Sequence, residues 1–469
     1  MPDNLPSAVV VVLFGASGDL SARMVLPAFF DLHTRGLLPA DWRLVGAGRG
    51  DSSDEDFRTS VREALEEFGD GLPEDWDEVS ERVRFAGGGF TSEDAGEMIE
   101  VIDEVREELG GDPAVVHFLA VPPSAFEPLT RALGDHGLAE DARVVYEKPY
   151  GTSLETFVSL EETVKDVLSE DQVFRIDHFL GKEAVQNLYV LRFANELLAG
   201  MWNRDHVEQV QIDVPESLDV ADRAEFYDET GAALDMLVTH LFQVAAQVAM
   251  EPPTDLRDPG SVLAAREDVI ASFRALDPDD VVLGQFEGYR DIEGIDDASR
   301  TDTFVAARLW VDNDRWRGVP FLLRTGKRMA SDAQEVTLVL RDPAGPLAGE
   351  IATPNTVRVS IEDAGGTLSI GLTVKQPGPE LDLTIGTARL ELDQVEGGTT
   401  MPPYASLLHD VLLGDRSLFT TASGLRSAFE AFAPLQGDAR PEPRPYAQES
   451  WGPEEARELA APYGWVLGQ

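Results

Sequence analysis

The sequence predicts an α/β fold followed by an α+β fold: a doubly wound parallel sheet over residues 1–176, then a larger domain over 177–469 with a mostly antiparallel sheet and helices. Three observations carry this. Short β-branched runs alternate with helical segments up to about residue 176, a glycine-rich turn follows the first run, and beyond residue 177 many runs alternate apolar with polar residues.

Residues 9–14 are apolar and β-branched and end at Gly15. Leu20, Met24, Ala28 and Leu32 then recur on one face of a helix over 19–32. Residues 43–47, 114–121 and 144–147 read as the next strands, with helix-like segments between them. Strands that alternate with helices imply a parallel sheet covered on both faces. In the second part, residues 207–214, 303–311, 319–324, 335–340, 356–361, 367–374 and 381–385 read as strands of a mostly antiparallel sheet. Residues 231–250 form an apolar helix, and an acidic excursion over 252–302 holds one more, at 261–275. There is no internal repeat.

The 469 residues carry 86 Asp and Glu against 38 Lys and Arg, a net charge of −48. Such a surface repels phosphate backbones and anionic lipid, which argues against nucleic acid and membranes as partners. The chain has no cysteine, so disulfides and thiolate chemistry are excluded, and its histidines show no metal-ligand spacing, so no metal is expected. The first apolar run is too short for a signal core or a membrane span, and a cytoplasmic location is the expectation. Lysine is scarce. Of Lys148, Lys165, Lys182, Lys327 and Lys375, three stand in the short runs most suited to chemistry, where a compact ammonium serves and the planar fork of arginine does not. That points to an anionic small molecule.

Gly15-Ala16-Ser17-Gly18-Asp19-Leu20 stands where the first strand meets a helix, so Gly15, Ser17, Gly18, Asp19 and Leu20 can present backbone amides and a helix dipole to a pyrophosphate. The run lacks the full G-x-G-x-x-G spacing, and a plain tight turn would need no ligand. After the second strand, an acid would suit the ribose hydroxyl of NAD, whereas Arg49 offers a guanidinium suited to the 2′-phosphate of NADP. NADP is therefore the first candidate and NAD the second. If Asp177-His178-Phe179-Leu180-Gly181-Lys182 leads into a helix, His178 and Lys182 lie four apart and converge on one phosphate while Asp177 faces elsewhere. A surface ion pair of Asp177 with Lys182 is the other reading. Asp235 and His240 are the ionisable groups of the apolar helix, so they line either a polar cavity or a satisfied core network.

Further runs extend this set: Glu147-Lys148-Pro149-Tyr150-Gly151, Arg175 to Lys182 with Val185-Gln186-Asn187-Leu188, Leu191 to Asn195, Met201 to Asp205, Gly318 to Phe321, Gly326-Lys327 and Ser450 to Pro453. With them the chain resembles the glucose-6-phosphate dehydrogenase family across nearly its whole length. The resemblance implies a Rossmann-type dinucleotide-binding domain over 1–176 and a substrate-binding and oligomerisation domain over 177–469. It implies His240 as the general base at the sugar C1 hydroxyl, oriented by Asp177. It assigns the sugar phosphate to His178 and Lys182, sugar hydroxyls to Glu216, Asp235 and Lys327, and a bridge between substrate and cofactor to Lys148, with Pro149 in a cis peptide bond. A homodimer or homotetramer follows in the same way. The chain departs from the family at Phe179, where Tyr is common, at Met24, where many members have Lys, and at Asp332, near a common basic position. A non-catalytic nucleotide sensor on this fold is the competing reading, and the presence of both Asp177 and His240 argues against it, because a binding module needs no proton acceptor.

Overall fold

The first apolar run becomes the interior of a six-stranded sheet. The computed structural model describes the chain apart from residues 1–4, 51, 221–223, 349, 352, 363–364 and 469. In it, β1 (Ala8–Phe14), β2 (Asp41–Ala47), β3 (Val83–Ala86), β4 (Ala114–Leu119), β5 (Arg143–Tyr146) and β6 (Val173–Arg175) are ordered 3-2-1-4-5-6. Every pairing is parallel. All of β1 is buried without alternation, as a strand covered on both faces requires. β3 and β6 escape a reading of the sequence because four and three residues at the sheet edges are too short to show a period. The strand order reverses at β1 and β4, and sheets of this kind take ligands at the carboxyl ends beside that point.

This sheet lies in a unit made of Met1–Gly181, Leu256–Leu263 and Met401–Ala422. The last of these segments brings the helix Pro403–Leu413. Arg143, opening β5, donates to the carbonyls of Val411 and Leu412 at 2.6 and 2.7 Å and so satisfies the end of that helix. Arg175, closing β6, is buried, pairs with Glu161 at 2.8 Å and Glu170 at 2.9 Å, and its carbonyl accepts from the Thr420 amide at 3.2 Å.

The second unit, Lys182–Asp255, Ala264–Thr400 and Ser423–Gln469, is built on nine strands. These are β7 (Val207–Pro215), β8 (Val281–Phe286), β9 (Phe304–Trp310), β10 (Pro320–Gly326), β11 (Glu335–Leu340), β12 (Thr356–Ser360), β13 (Thr367–Lys375), β14 (Leu383–Glu391) and β15 (Arg444–Tyr446). Their order is 14-13-12-11-7-10-9-8-15. Only β7 with β10 and β8 with β15 run parallel. The sequence does not reveal β8, because Gly284 interrupts it. A Cβ there would meet Pro453 at 2.9 Å and Tyr446 at 3.0 Å, so the close approach demands glycine. The helix expected over 261–275 is observed as Pro259–Ile270, since Phe273 leaves it to pair with Val311.

Alternation puts Gln209, Gln211 and Asp213 on one face of β7, and all three are buried. Gly464 and Val466 bond the two glutamines. The Gly464 carbonyl accepts from both glutamine amides at 3.4 and 2.8 Å, and the Val466 amide donates to Gln211 at 2.8 Å. Arg324 is the register partner of Asp213 across β10 and β7, donating to its carboxylate at 2.6 Å and to the Leu467 carbonyl at 2.9 Å. Its guanidinium lies 4.3 Å from the Trp465 ring centroid and 5.1 Å from that of Trp451.

Burial pushes the Asp213 carboxyl up to about 6, with Arg324 offsetting part of that rise. Replacing Arg324→Met should therefore cost about 3–5 kcal/mol in urea unfolding, the loss expected when one partner of a buried pair is removed. A carboxyl whose folded pKa lies above its unfolded value loses stability as pH rises. The deficit should accordingly be larger at pH 8 than at pH 5, where protonation relieves the unpaired charge.

Candidate active site

In the first unit, β1 runs into Gly15 at φ +74°, where a Cβ would fall 2.2 Å from the Ala120 carbonyl oxygen. No other residue fits this turn without moving backbone. The Gly18 amide and the Ser21 hydroxyl both donate to the Gly15 carbonyl, at 2.9 and 2.8 Å. A helix then starts at Asp19 and runs to Thr34, with a π-helical stretch over Ser21–Val25. Ser17 and Asp19 are exposed, and Asp19 pairs with Arg23 at 2.6 Å. Arg49 is exposed two residues past β2, next to a Gly48 amide held by the Ala86 carbonyl at 3.3 Å. A cradle without a Cβ, a helix start and a cation beyond the neighbouring strand fit a dinucleotide phosphate.

Further along the same sheet, β5 leads into Glu147 and a cis Lys148–Pro149 bond. Glu147 is buried, which pushes its carboxyl up to about 7, while the Tyr404 hydroxyl, donating at 3.3 Å, and the Lys148 charge favour its ionised form. After β6, residues 177–181 form a turn: the Phe179 amide donates to the Asp177 carboxylate at 3.0 Å and the Leu180 amide to the Asp177 carbonyl at 3.0 Å. The expectation of one helix through His178 and Lys182 is therefore corrected. Asp177 caps its own turn and competes with helical continuation, so the helix Glu183–Ala194 starts only after an extended Lys182. Asp177 and Phe179 are buried, and His178 sets its ring edge-on to Phe179 at 5.0 Å.

In the second unit, Lys182 is buried and donates to Gln334. Glu216 and Lys327 directly follow Pro215 and Gly326, which are partners across β7 and β10. Parallel pairing thus delivers both side chains at one end of the sheet, and the Lys327 ammonium donates to the Glu216 carboxylate. The same ammonium lies 5.8 Å from the Tyr227 ring centroid. Burial raises the Tyr227 phenol well above its usual pKa, and the Asp235 carboxylate, among its neighbours, adds to this. Asp332 accepts from the Ser217 amide at 2.8 Å and from its hydroxyl, so the acid at this position pins the residue after Glu216.

The apolar helix begins near Gly231 as expected, but Gly231 itself is a kink with φ 68° and residues Ala233–Leu241 wind as a π-helix. Its start is held by Asp302, which accepts from the Ala233 amide at 2.6 Å. An α-helix would set Asp235 and His240 about 140° apart around the axis. Bonding i to i+5 brings both to one side, and such stretches recur at functional sites. Tyr227, Gln334 and Tyr404 were not among the residues singled out from the sequence. They stand outside any motif, and only the fold places them.

Comparisons with known proteins point to one family. A family model described as "Glucose-6-phosphate dehydrogenase, NAD binding domain" matches residues 12–187, and one described as "Glucose-6-phosphate dehydrogenase, C-terminal domain" matches 189–466. The chain is 37% identical to glucose-6-phosphate 1-dehydrogenase 2 of Mycobacterium tuberculosis over 96% of its own length and 92% of the relative's. It is 32% identical to the cytoplasmic glucose-6-phosphate 1-dehydrogenase 5 of Arabidopsis thaliana, covering 99% and 93%. A solved glucose-6-phosphate dehydrogenase in complex with glucose 6-phosphate superposes with a TM-score of 0.91 at 30% identity, over 100% of both chains.

Proposed function

Because the chain belongs to the glucose-6-phosphate dehydrogenase family, we propose that it oxidises D-glucose 6-phosphate at C1 to 6-phospho-D-glucono-1,5-lactone with NADP, the entry step of the oxidative pentose phosphate pathway. The observation that supports this most is the side-by-side delivery of Glu216 and Lys327 by β7 and β10, with Asp235 and His240 on one side of a π stretch. These groups supply paired donors and acceptors for sugar hydroxyls and one imidazole for a proton.

Gly15, Ser17, Gly18, Asp19 and Leu20 hold the pyrophosphate of the cofactor, and Arg49 holds the 2′-phosphate that distinguishes NADP from NAD. When bound, the nicotinamide supplies the hydride acceptor. His178 and Lys182 bind the sugar phosphate as local cations in a strongly acidic protein, while Glu216, Asp235 and Lys327 fix the sugar hydroxyls. Lys148 spans substrate and cofactor. A sugar hydroxyl is too weak an acid to ionise unaided, so loss of hydride from C1 needs a base at the C1 hydroxyl. His240 takes that proton, and Asp177 orients the imidazole and stabilises the imidazolium.

The protein acts in the cytoplasm as a homodimer or homotetramer. Leu372, Val374 and Leu390 are exposed and share one face of β13 and β14, a surface suited to a second copy. Phe179 has no hydroxyl to offer a phosphate, so a panel of aldose phosphates against NADP and NAD is the direct test of substrate and cofactor.

His240→Asn should leave sugar-phosphate affinity within about tenfold and lower kcat on the order of a thousandfold; near-normal turnover would remove His240 from the mechanism. In the cofactor site, Arg49→Ala should raise KM for NADP much more than KM for NAD, and equal effects would defeat the 2′-phosphate assignment. For assembly, Leu372→Glu combined with Val374→Glu should shift the light-scattering mass of the oligomer to that of smaller species. An unmoved mass would clear this face of any role in association.

A further inference from the structure

The helix Pro403–Leu413 joins the first unit from far along the chain, and its first turn lands on two of the runs read above as chemical. Gly181 marks the contact. A Cβ there would lie 2.7 Å from the Pro403 carbonyl oxygen and 2.9 Å from Leu407, so glycine lets the helix close on residues 177–181. From that turn the buried Tyr404 reaches both runs. Its hydroxyl donates to Glu147 at 3.3 Å, and its ring lies within 18° of parallel to the His178 ring, with centroids 6.5 Å apart. Glu147 stands directly before Lys148 at the carboxyl end of β5, and its other carboxylate oxygen, Oε1, is buried with no hydrogen-bond partner among the described residues. A buried carboxylate so short of donors depends on each one it has.

We infer that Tyr404 is a positioning residue for the reaction: through Glu147 it fixes the turn that carries Lys148, and through its ring it fixes the His178 imidazole. The inference rests on the roles proposed above for Lys148 and His178. Tyr404 thereby couples the end of the site that serves the cofactor to the end that serves the phosphate. Lys148 is the group that most needs this, since its flexible stem must place one ammonium against two ligands. Misplacement by about 1 Å at such a group costs on the order of a hundredfold in rate.

The test separates the two halves of Tyr404. Tyr404→Phe removes the hydroxyl and keeps the ring, and should lower kcat about tenfold with KM for glucose 6-phosphate within about twofold. Tyr404→Leu removes both, and should in addition raise that KM about tenfold, with no comparable rise for unphosphorylated glucose. The double variant Glu147→Gln with Tyr404→Phe should lose no more kcat than the weaker of its two single variants, because both act through one contact. Wild-type kcat in Tyr404→Phe, or additive losses in the double variant, overturns the inference. Lys148→Ala and His178→Ala are measured alongside. Wild-type kinetics in both would bring down the site assignment and the inference together, whereas losses there beside a silent Tyr404→Phe remove the inference alone. Circular dichroism and Tm check each variant, and if Tyr404→Leu does not fold, the Phe and double variants decide.

Discussion

The candidate chemistry of the second unit depends on one parallel pairing inside a mostly antiparallel sheet. β7 and β10 run the same way, so the residues that follow their last partners, Glu216 and Lys327, emerge together. Antiparallel neighbours would send them to opposite ends. The Arg324–Asp213 pair holds that register from within, because a slip of one strand by one residue would put the two side chains on opposite faces of the sheet. A buried ion pair adds little net stability over a well-packed apolar pair, yet breaking it is costly, so its effect here is to penalise every other alignment.

Much of the fold was legible. The alternating strands and helices of the first part and the alternating runs of the second follow from periods of 2 and 3.6 acting over long enough stretches. What failed was short or locally irregular. β3 and β6 have too few residues to show a period, β8 is interrupted by a glycine that close packing requires, and β15 has three residues and little pattern. Nor could periodicity show that Gln209 and Gln211 would be buried, since Gly464 and Val466, which bond them, lie far away in sequence.

The site divides along similar lines. Residues in dense runs, such as the Gly15 turn, Lys148 and the Asp177 to Lys182 segment, could be found from composition and spacing. Their local geometry could not. A helix through His178 and Lys182 was a fair expectation from spacing, and the Asp177 carboxylate overrules it by binding the Phe179 amide. Asp235 and His240 were conspicuous as ionisable groups in an apolar helix. That they share a side depends on π winding, for which the spacing of apolar residues gives no sign.

The return of helix Pro403–Leu413 to the first unit has a consequence for synthesis. Arg143 finds its acceptor at Leu412, 269 residues later, so the six-stranded sheet leaves the ribosome with that guanidinium and the Glu147 carboxylate still waiting for these partners. Contacts of such separation form late, because the long loop must close before they can contribute. The six strands have all their sequence early, but Arg143 and Glu147 acquire these partners only once residues 404–412 have been made. The end of β5 is thus tied to a helix made hundreds of residues later, and its polar groups stay open to water until that helix arrives.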